Sequence, residues 1–388
     1  VDFSISEEQA MLVDTVATLM RRHASPEQIG AWDEGRAYPE ALYRKWVEAG
    51  LIQLPFPEDY GGLGGNAADV ALLVEQISKH STDLCMPYSS AIFCGLNILR
   101  NSEMCIRDSG SEEQKRHWLP KILTGEKKML IGISEPAAGS DATAMTTFAA
   151  RDGDAYRING QKLWVTGAGL KDAVLSVYLK TDKTVSHREG VSLFLIDTAT
   201  PGVKLRKLDM LGRRCSGTYE VFFTDAVVPR ENLIGGEGHG WQCLMSGLQY
   251  ERAVSAASSC GGAQGVLDFI IAYVREREQF GRPIGKFQTI AHRIADLQTQ
   301  VDAARMLTQK AVWLSATDQD ALREISEAKL FASETYVKVA NEAVQIMGAY
   351  GLSSEYPIAR HYRDARSATI AAGTSEMLRN LIARKLDL

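Results

Sequence analysis

Several protein classes are excluded by what this chain lacks. No apolar run reaches the ~18 residues of a membrane-spanning helix, so no span is expected. Residues 1–8 have no basic n-region and no apolar h-region, so no secretory signal is expected. Basic charge is not in excess. There are 43 Lys and Arg against 48 Asp and Glu, a formal net charge of -5. Nucleic-acid binding would favour a basic chain or patch, and none is expected here. Cysteine is sparse, with six residues: Cys85, Cys94, Cys105, Cys215, Cys243 and Cys260. None form a CxxC pair, and no histidine spacing suggests zinc. We read them as mostly reduced, buried thiols of a cytoplasmic protein without a metal site. What remains is a chain of 388 residues, 45% hydrophobic. That suits a globular protein of two or three domains.

Three zones follow one another. Residues 1–128 read as helical. Ser6 with Glu8 and Gln9 can cap a helix through Met11, Leu12, Val16 and Leu19. Leu42, Trp46, Val47 and Leu51 mark a second helical stretch. A Pro- and Gly-rich loop over 55–65 precedes Asn66, which can cap a helix over 67–79. Gly62, Gly64 and Ala67 formally fit a dinucleotide fingerprint. Pro55 and Pro57 break the strand that should precede it, and a helical pattern follows in place of a strand, so that site is not expected. Residues 129–235 read as an antiparallel β-domain. Asp152-Gly153 and Asn159-Gly160 are turn signals, and 174–179 and 191–196 are β-rich runs. Residues 236–388 read as a four-helix bundle, with helices near 241–279, 287–315, 319–349 and 374–386. The fold class is thus α+β. Residues 101–109 lack periodicity and read as a surface insertion or a sequencing artefact, with no function assigned.

Four stretches carry possible chemistry. Ser134-Glu135-Pro136-Ala137-Ala138-Gly139-Ser140-Asp141 is a small-residue turn. Such a turn exposes backbone N–H groups and a hydroxyl that can hold a phosphate, although many are plain surface turns. Lys162-Leu163-Trp164-Val165-Thr166 puts an indole on a strand, where it is ordinarily core. Arg277 through Gln288 is a charged stretch at a helix end, ordinarily solvated. Glu251 lies on a helix whose one-turn neighbours Gly247, Leu248, Val254 and Ser255 carry no charge. Burying a carboxylate there is costly unless it has a role. The alternative is a solvent-facing Glu251 paired with Arg252.

Together with Ile370-Ala371-Ala372-Gly373-Thr374-Ser375-Glu376, these stretches resemble the acyl-CoA dehydrogenase family of flavoproteins over nearly the whole chain. The resemblance implies an N-terminal helical domain, a middle β-domain, a C-terminal bundle and bound FAD. It implies that Ile131, Ile133 and Ser134 lie along the flavin ring, and that Gly139 and Ser140 hold pyrophosphate. Ser140 would also meet the acyl-CoA. Trp164 would stack on the flavin and Thr166 bond it. Arg277, Phe280 and Gln288 would reach the FAD of a neighbouring subunit, which implies a homotetramer, and Gln345 and Gly348 match a further FAD segment. Thr374 and Glu376 match further FAD contacts.

Many members of that family carry a glutamate base at the position held here by Ala372. A smaller branch, isovaleryl-CoA dehydrogenase-like, carries it on a long helix directly before an arginine, as Glu251 precedes Arg252. Glu251 is therefore expected to take the α-proton of an acyl-CoA thioester, with Arg252 supporting the site. By the same resemblance the Ala372 N–H would bond the thioester oxygen, and an electron-transferring flavoprotein would take the electrons. An acyl-CoA oxidase, an enoyl-CoA reductase and a non-catalytic flavin or CoA binder share this scaffold. A run of small residues after Glu251 reads as tight helix packing, with room for a branched acyl chain if part of it lines the pocket.

Overall fold

The computed structural model describes residues 5–99, 110–317 and 319–388; the stretch 101–109, with Cys105, lies outside them. The first zone holds α1 (Glu7–His23), α2 (Pro26–Gly35), α3 (Glu40–Glu48), α4 (Ala67–His80), α5 (Cys85–Leu99) and α6 (Glu112–Leu123). The foreseen caps are in place. Ser6 accepts from the Gln9 N–H, and the Gln9 side chain answers the Ser6 N–H. Asn66 accepts from the N–H groups of Ala68 and Asp69. No strand precedes Gly62 among the described residues, and α4 follows it, so the dinucleotide reading fails.

The middle zone is one sheet in the order β6-β7-β3-β2-β4-β5-β8, with β1 also on β4. Its strands are β1 (Lys128–Gly132), β2 (Phe148–Asp152), β3 (Ala155–Thr166), β4 (Ala173–Lys180), β5 (Val191–Asp197), β6 (Val203–Leu208), β7 (Thr218–Pro229) and β8 (Leu233–Ile234). The antiparallel expectation needs two corrections. β1 and β2 both run parallel to β4. Long connections separate them from β4, which is the condition for parallel pairing. Asp152-Gly153 does turn the chain from β2 into β3. Asn159-Gly160 does not turn it: the pair sits inside β3 at a bulge opposite β7. There Asn159 exchanges hydrogen bonds with Asp225 at 2.9 and 3.0 Å. Gly160 has φ +140°, and a Cβ on it would lie 2.6 Å from Thr147 Oγ1. Glycine is required by the close approach of Thr147.

The last zone begins with α7 (Gly240–Glu276), followed by the small hairpin β9 (Glu278–Gln279) and β10 (Arg282–Pro283). Then come α8 (Gln288–Ala316), α9 (Leu322–Met347), α10 (Pro357–Ala368) and α11 (Ser375–Lys385). The long helices α7, α8 and α9 pack together, and α4 joins them against α7. Four helices thus share that packing, but α4 comes from the first zone. α10, which the sequence did not announce, packs on α9. Its buried face includes Arg360, His361 and Asp364, so it lacks the continuous apolar stripe of an ordinary buried helix. A Cβ on Gly261 would lie 2.2 Å from the Glu75 carbonyl, and one on Gly265 2.0 Å from that of Lys79. The small residues of α7 therefore bring its backbone against α4. The five cysteines among the described residues are buried and free. No helix among those residues is long and apolar enough to cross a membrane.

Candidate active site

β1 ends at Gly132 and delivers Ile133 and Ser134 into a loop. That loop is tied to β3 by the Leu163 N–H, which donates to the Ser134 carbonyl at 2.8 Å. Beneath it lies a buried ion pair. Lys162 Nζ is 2.7 Å from Glu135 Oε1 and also donates to the Ile133 carbonyl at 3.0 Å. Glu135 further accepts from the N–H groups of Thr146 and Thr147, at 2.6 and 3.0 Å. Burial alone would raise the Glu135 carboxyl, but the Lys162 ammonium and these donors bring it down to about 2. The pair fixes Ser134 beside the strand bearing Trp164 and Thr166. Trp164 is 54% exposed, with φ +62°. The indole is therefore held outward on a left-handed backbone and is not part of the core. Gly139 and Ser140 lie exposed in the following turn.

Glu251 sits in α7 and lines a cavity with Ile131, Ala371 and Ala372. Burial pushes its carboxyl above the ordinary glutamate value, against the charges of Arg252, Lys329 and Arg213. It makes no direct ion pair with the adjacent Arg252, whose Nε donates to the Ala372 carbonyl at 3.0 Å. Lys329, fully buried in α9, donates to the Gly373 carbonyl at 2.7 Å. Burial and the nearby Arg252 lower Lys329 to about 8, with Glu251 pulling the other way. Two cations thus hold consecutive carbonyls of one loop. Ala372 has φ +56°, and its N–H donates to no acceptor among the described residues. A carboxylate of raised pKa and an unused backbone donor at one cavity can remove a proton and steady a developing oxyanion.

Next to this cavity runs a groove of about 550 Å³ lined by Thr374, Glu376, Ile370, Arg366 and Lys338. Thr374 also caps α11, accepting from the Met377 N–H at 3.3 Å. The remaining expected residues gather elsewhere. Arg277 follows the end of α7, with its guanidinium over the Tyr350 ring at 5.3 Å. Phe280, in the β9–β10 hairpin, is 93% exposed. Gln288 opens α8, Gln345 is exposed on the last turn of α9, and Gly348 follows that helix. Arg277 lies about 26 residues beyond Glu251, about 39 Å at the helical rise. The structure therefore does not bring this group to Glu251 within one chain.

Sequence reasoning missed Lys329 and Arg213. Lys329 could have been found, since it shares the helical face of Ile325, Ala328 and Ala332 and breaks an apolar stripe. Arg213 lies in the loop between β6 and β7, where no periodicity marks it. The small-residue run after Glu251 divides its roles. Ser255, Ser258 and Ser259 line the cavity, while Gly261, Gly262 and Gly265 make close packing contacts.

Family models for the N-terminal, middle and C-terminal domains of acyl-CoA dehydrogenase match residues 6–126, 131–226 and 238–386. The probable acyl-CoA dehydrogenase YngJ of Bacillus subtilis is 36% identical over 99% of both chains. The caffeyl-CoA reductase-Etf complex subunit CarC of Acetobacterium woodii is 35% identical over 98% of both chains. The structure of butyryl-CoA dehydrogenase from Megasphaera elsdenii superposes with a TM-score of 0.93 at 32% identity, covering 100% of both chains. The chain belongs to the acyl-CoA dehydrogenase family, FAD-dependent enzymes that oxidise acyl-CoA thioesters at the α,β bond.

Proposed function

We propose that the protein oxidises an acyl-CoA to a trans-2-enoyl-CoA, with Glu251 as the base. The observation that carries this reading is that Glu251 and Ala372 face one cavity, where the family's usual glutamate position holds a side chain without a base. Glu251 removes the α-proton. The Ala372 N–H bonds the thioester oxygen and stabilises the charge that develops there. Arg252 holds the loop that presents this N–H, and Ala372 needs no functional side chain for that role.

FAD fits the residues present. Trp164 offers an outward ring, Thr166 follows it on β3, Ser134 is tied to the neighbouring Leu163, and Ile131 and Ile133 are half-buried apolar residues. Thr374 and Glu376 line the adjoining groove, and Gly139 and Ser140 offer small-residue backbone and a hydroxyl. When bound, FAD supplies the acceptor for the β-hydride. Stacking by Trp164 excludes water from that face. Arg277, Phe280, Gln288, Gln345 and Gly348, too far along the bundle for this chain's own site, suit the FAD of a second copy. A homotetramer provides such an arrangement.

An electron-transferring flavoprotein suits the acceptor role, in keeping with the Etf complex named for the Acetobacterium relative. A cytoplasmic site suits an acyl-CoA enzyme with free thiols. The helix-borne base aligns the chain with the isovaleryl-CoA dehydrogenase-like branch in mechanism, whatever its acyl group. The zones 1–128, 129–235 and 236–388 serve as its domains. The test is anaerobic titration with straight, branched and oxygenated acyl-CoA thioesters. Bleaching of the flavin absorbance by at least one, lost in Glu251→Gln, is expected. Unchanged bleaching in Glu251→Gln would remove Glu251 as the base.

A further inference from the structure

The cavity that holds Glu251 has a definite shape. Its lining on α7 is Glu251, Val254, Ser255, Ser258 and Ser259, one face of the helix over two turns. Met86, Ser89 and Ser90 are likewise one face of α5. The space is therefore a slot between two helices. It runs about 12 Å along α7 at the helical rise. Its volume is only about 40 Å³, whereas a cavity of about 150 Å³ takes up a benzene ring. Spread over two turns, so little volume leaves width for a single file of atoms.

Three of the hydroxyls along the slot are engaged within the protein. Ser89 Oγ donates to the Cys85 carbonyl at 3.0 Å, and Ser259 Oγ to that of Ser255 at 2.8 Å. Ser258 Oγ and Ser78 Oγ are 2.8 Å apart. The lining is mainly apolar, which suits an alkyl chain. Its walls do not yield easily. Val254 is 6% exposed, and its β-branched side chain is stiff in a helix. At the Ser259 end, the Tyr336 hydroxyl is 2.8 Å from His361 Nδ1. A Cβ on Gly262 would lie 2.7 Å from the Tyr336 ζ carbon and 2.8 Å from the Thr82 methyl. The glycines that follow Glu251 on α7 serve helix packing and add no width to the slot.

Building on the acyl-CoA reading above, we propose that the acyl group is an unbranched alkyl chain, and that Val254 sets this choice. With its α-carbon at Glu251, the chain enters the slot and passes Val254 one turn on. A methyl branch at its second or third carbon has to displace atoms of a close-packed interior, where added bulk is destabilising. A straight isomer offers nearly the same apolar surface for burial without that displacement. The position of the base and the shape of the acyl group are then separate matters. A base on the long helix does not by itself call for a branched substrate.

Binding tests this independently of turnover. Dissociation constants are measured by calorimetry on the FAD-loaded enzyme for pentanoyl-CoA, 3-methylbutanoyl-CoA and 2-methylbutanoyl-CoA, three isomers that differ only in where the carbons sit. Pentanoyl-CoA is expected to bind about tenfold tighter, or more, than either branched isomer. Val254→Ala is expected to bring the ratio within about threefold. A smaller wild-type ratio against either branched isomer overturns the proposal, even if that thioester bleaches the flavin and the dehydrogenase reading stands. If none of the three binds, both fall. An unchanged ratio in folded, FAD-loaded Val254→Ala removes Val254 from the role. Should that variant not fold, Val254→Ile gives the same test in the opposite direction: the ratio rises if Val254 sets the choice, and a constant ratio removes it.

Discussion

Arg252 donates its Nε–H to the carbonyl of Ala372 at 3.0 Å, so the residue following Glu251 holds the loop that faces Glu251. One peptide step along α7 thus sets Glu251 and the Ala372 N–H relative to each other. On the function proposed, the side chain at 372 is relieved of acid–base work while its backbone keeps its place.

Replacing Glu251 by Gln should separate activity from stability. Loss of a positioned base is expected to slow flavin reduction by about 10²–10⁴-fold. Burial raises the folded-state pKa of Glu251 above its unfolded value, so ionising it opposes folding as pH rises through that interval. Gln removes this penalty, and the variant should melt at or above the wild-type temperature at neutral pH. A lower melting temperature at intact FAD content would show that the carboxylate supports the fold.

Ala372→Gly should leave reduction rates within about threefold, because the N–H remains. A left-handed backbone costs a Cβ-bearing residue about 1–2 kcal/mol, so glycine should also be neutral or stabilising. Stopped-flow reduction together with thermal melting checks both. A large rate loss without loss of FAD would show that the Ala372 methyl, not its N–H, matters.

Lys329→Met tests the second cation on this loop. The Lys329 charge favours ionised Glu251, so its loss should raise the base pKa further and move the acid limb of the kcat/KM profile to higher pH. A residue that merely braced Gly373 would lower the whole profile without moving that limb. Lys329→Arg should restore the limb towards wild type.

Glu135→Gln should be severe, because it strands the Lys162 ammonium in the interior. A broken buried pair costs about 3–5 kcal/mol, and both side chains are almost wholly buried here. Because the folded Glu135 pKa is about 2, its contribution is present above the ordinary glutamate pKa and lost as pH falls towards 2. Thermal melts at neutral pH, with FAD retention as a second readout, give the test. A change under 1 kcal/mol would show that the pair is not holding β1 to β3.

The parts of this site that follow local rules were legible in the sequence. Ser6 and Asn66 cap helices as expected, because capping depends on residues three positions apart. Glu251 stood out as a charge among uncharged helix neighbours. Asn159-Gly160 misled because its glycine answers to Thr147 across the sheet, not to a turn. α10 stayed hidden because its buried face includes charged residues whose partners come from distant segments, such as Asp33 for Arg363 and the Arg213 N–H for Asp364. Arg213 was silent for the same reason. A loop residue becomes a site residue only when three helices close around it.

The backbone contact of α7 with α4 gives the placement of Glu251 a mechanical meaning. A base on a surface loop can be moved or lost while the bundle stays whole. Glu251 instead belongs to the helix on which the bundle is assembled, within three turns of Gly261. A methyl group at Gly265, aimed at the Lys79 carbonyl, would push apart two helices and shift the Glu251 carboxyl with them. Folding the bundle and placing the Glu251 carboxyl are thus one event. The loop at 371–373, free of that duty, can vary in side chain as long as Arg252 and Lys329 still hold its carbonyls.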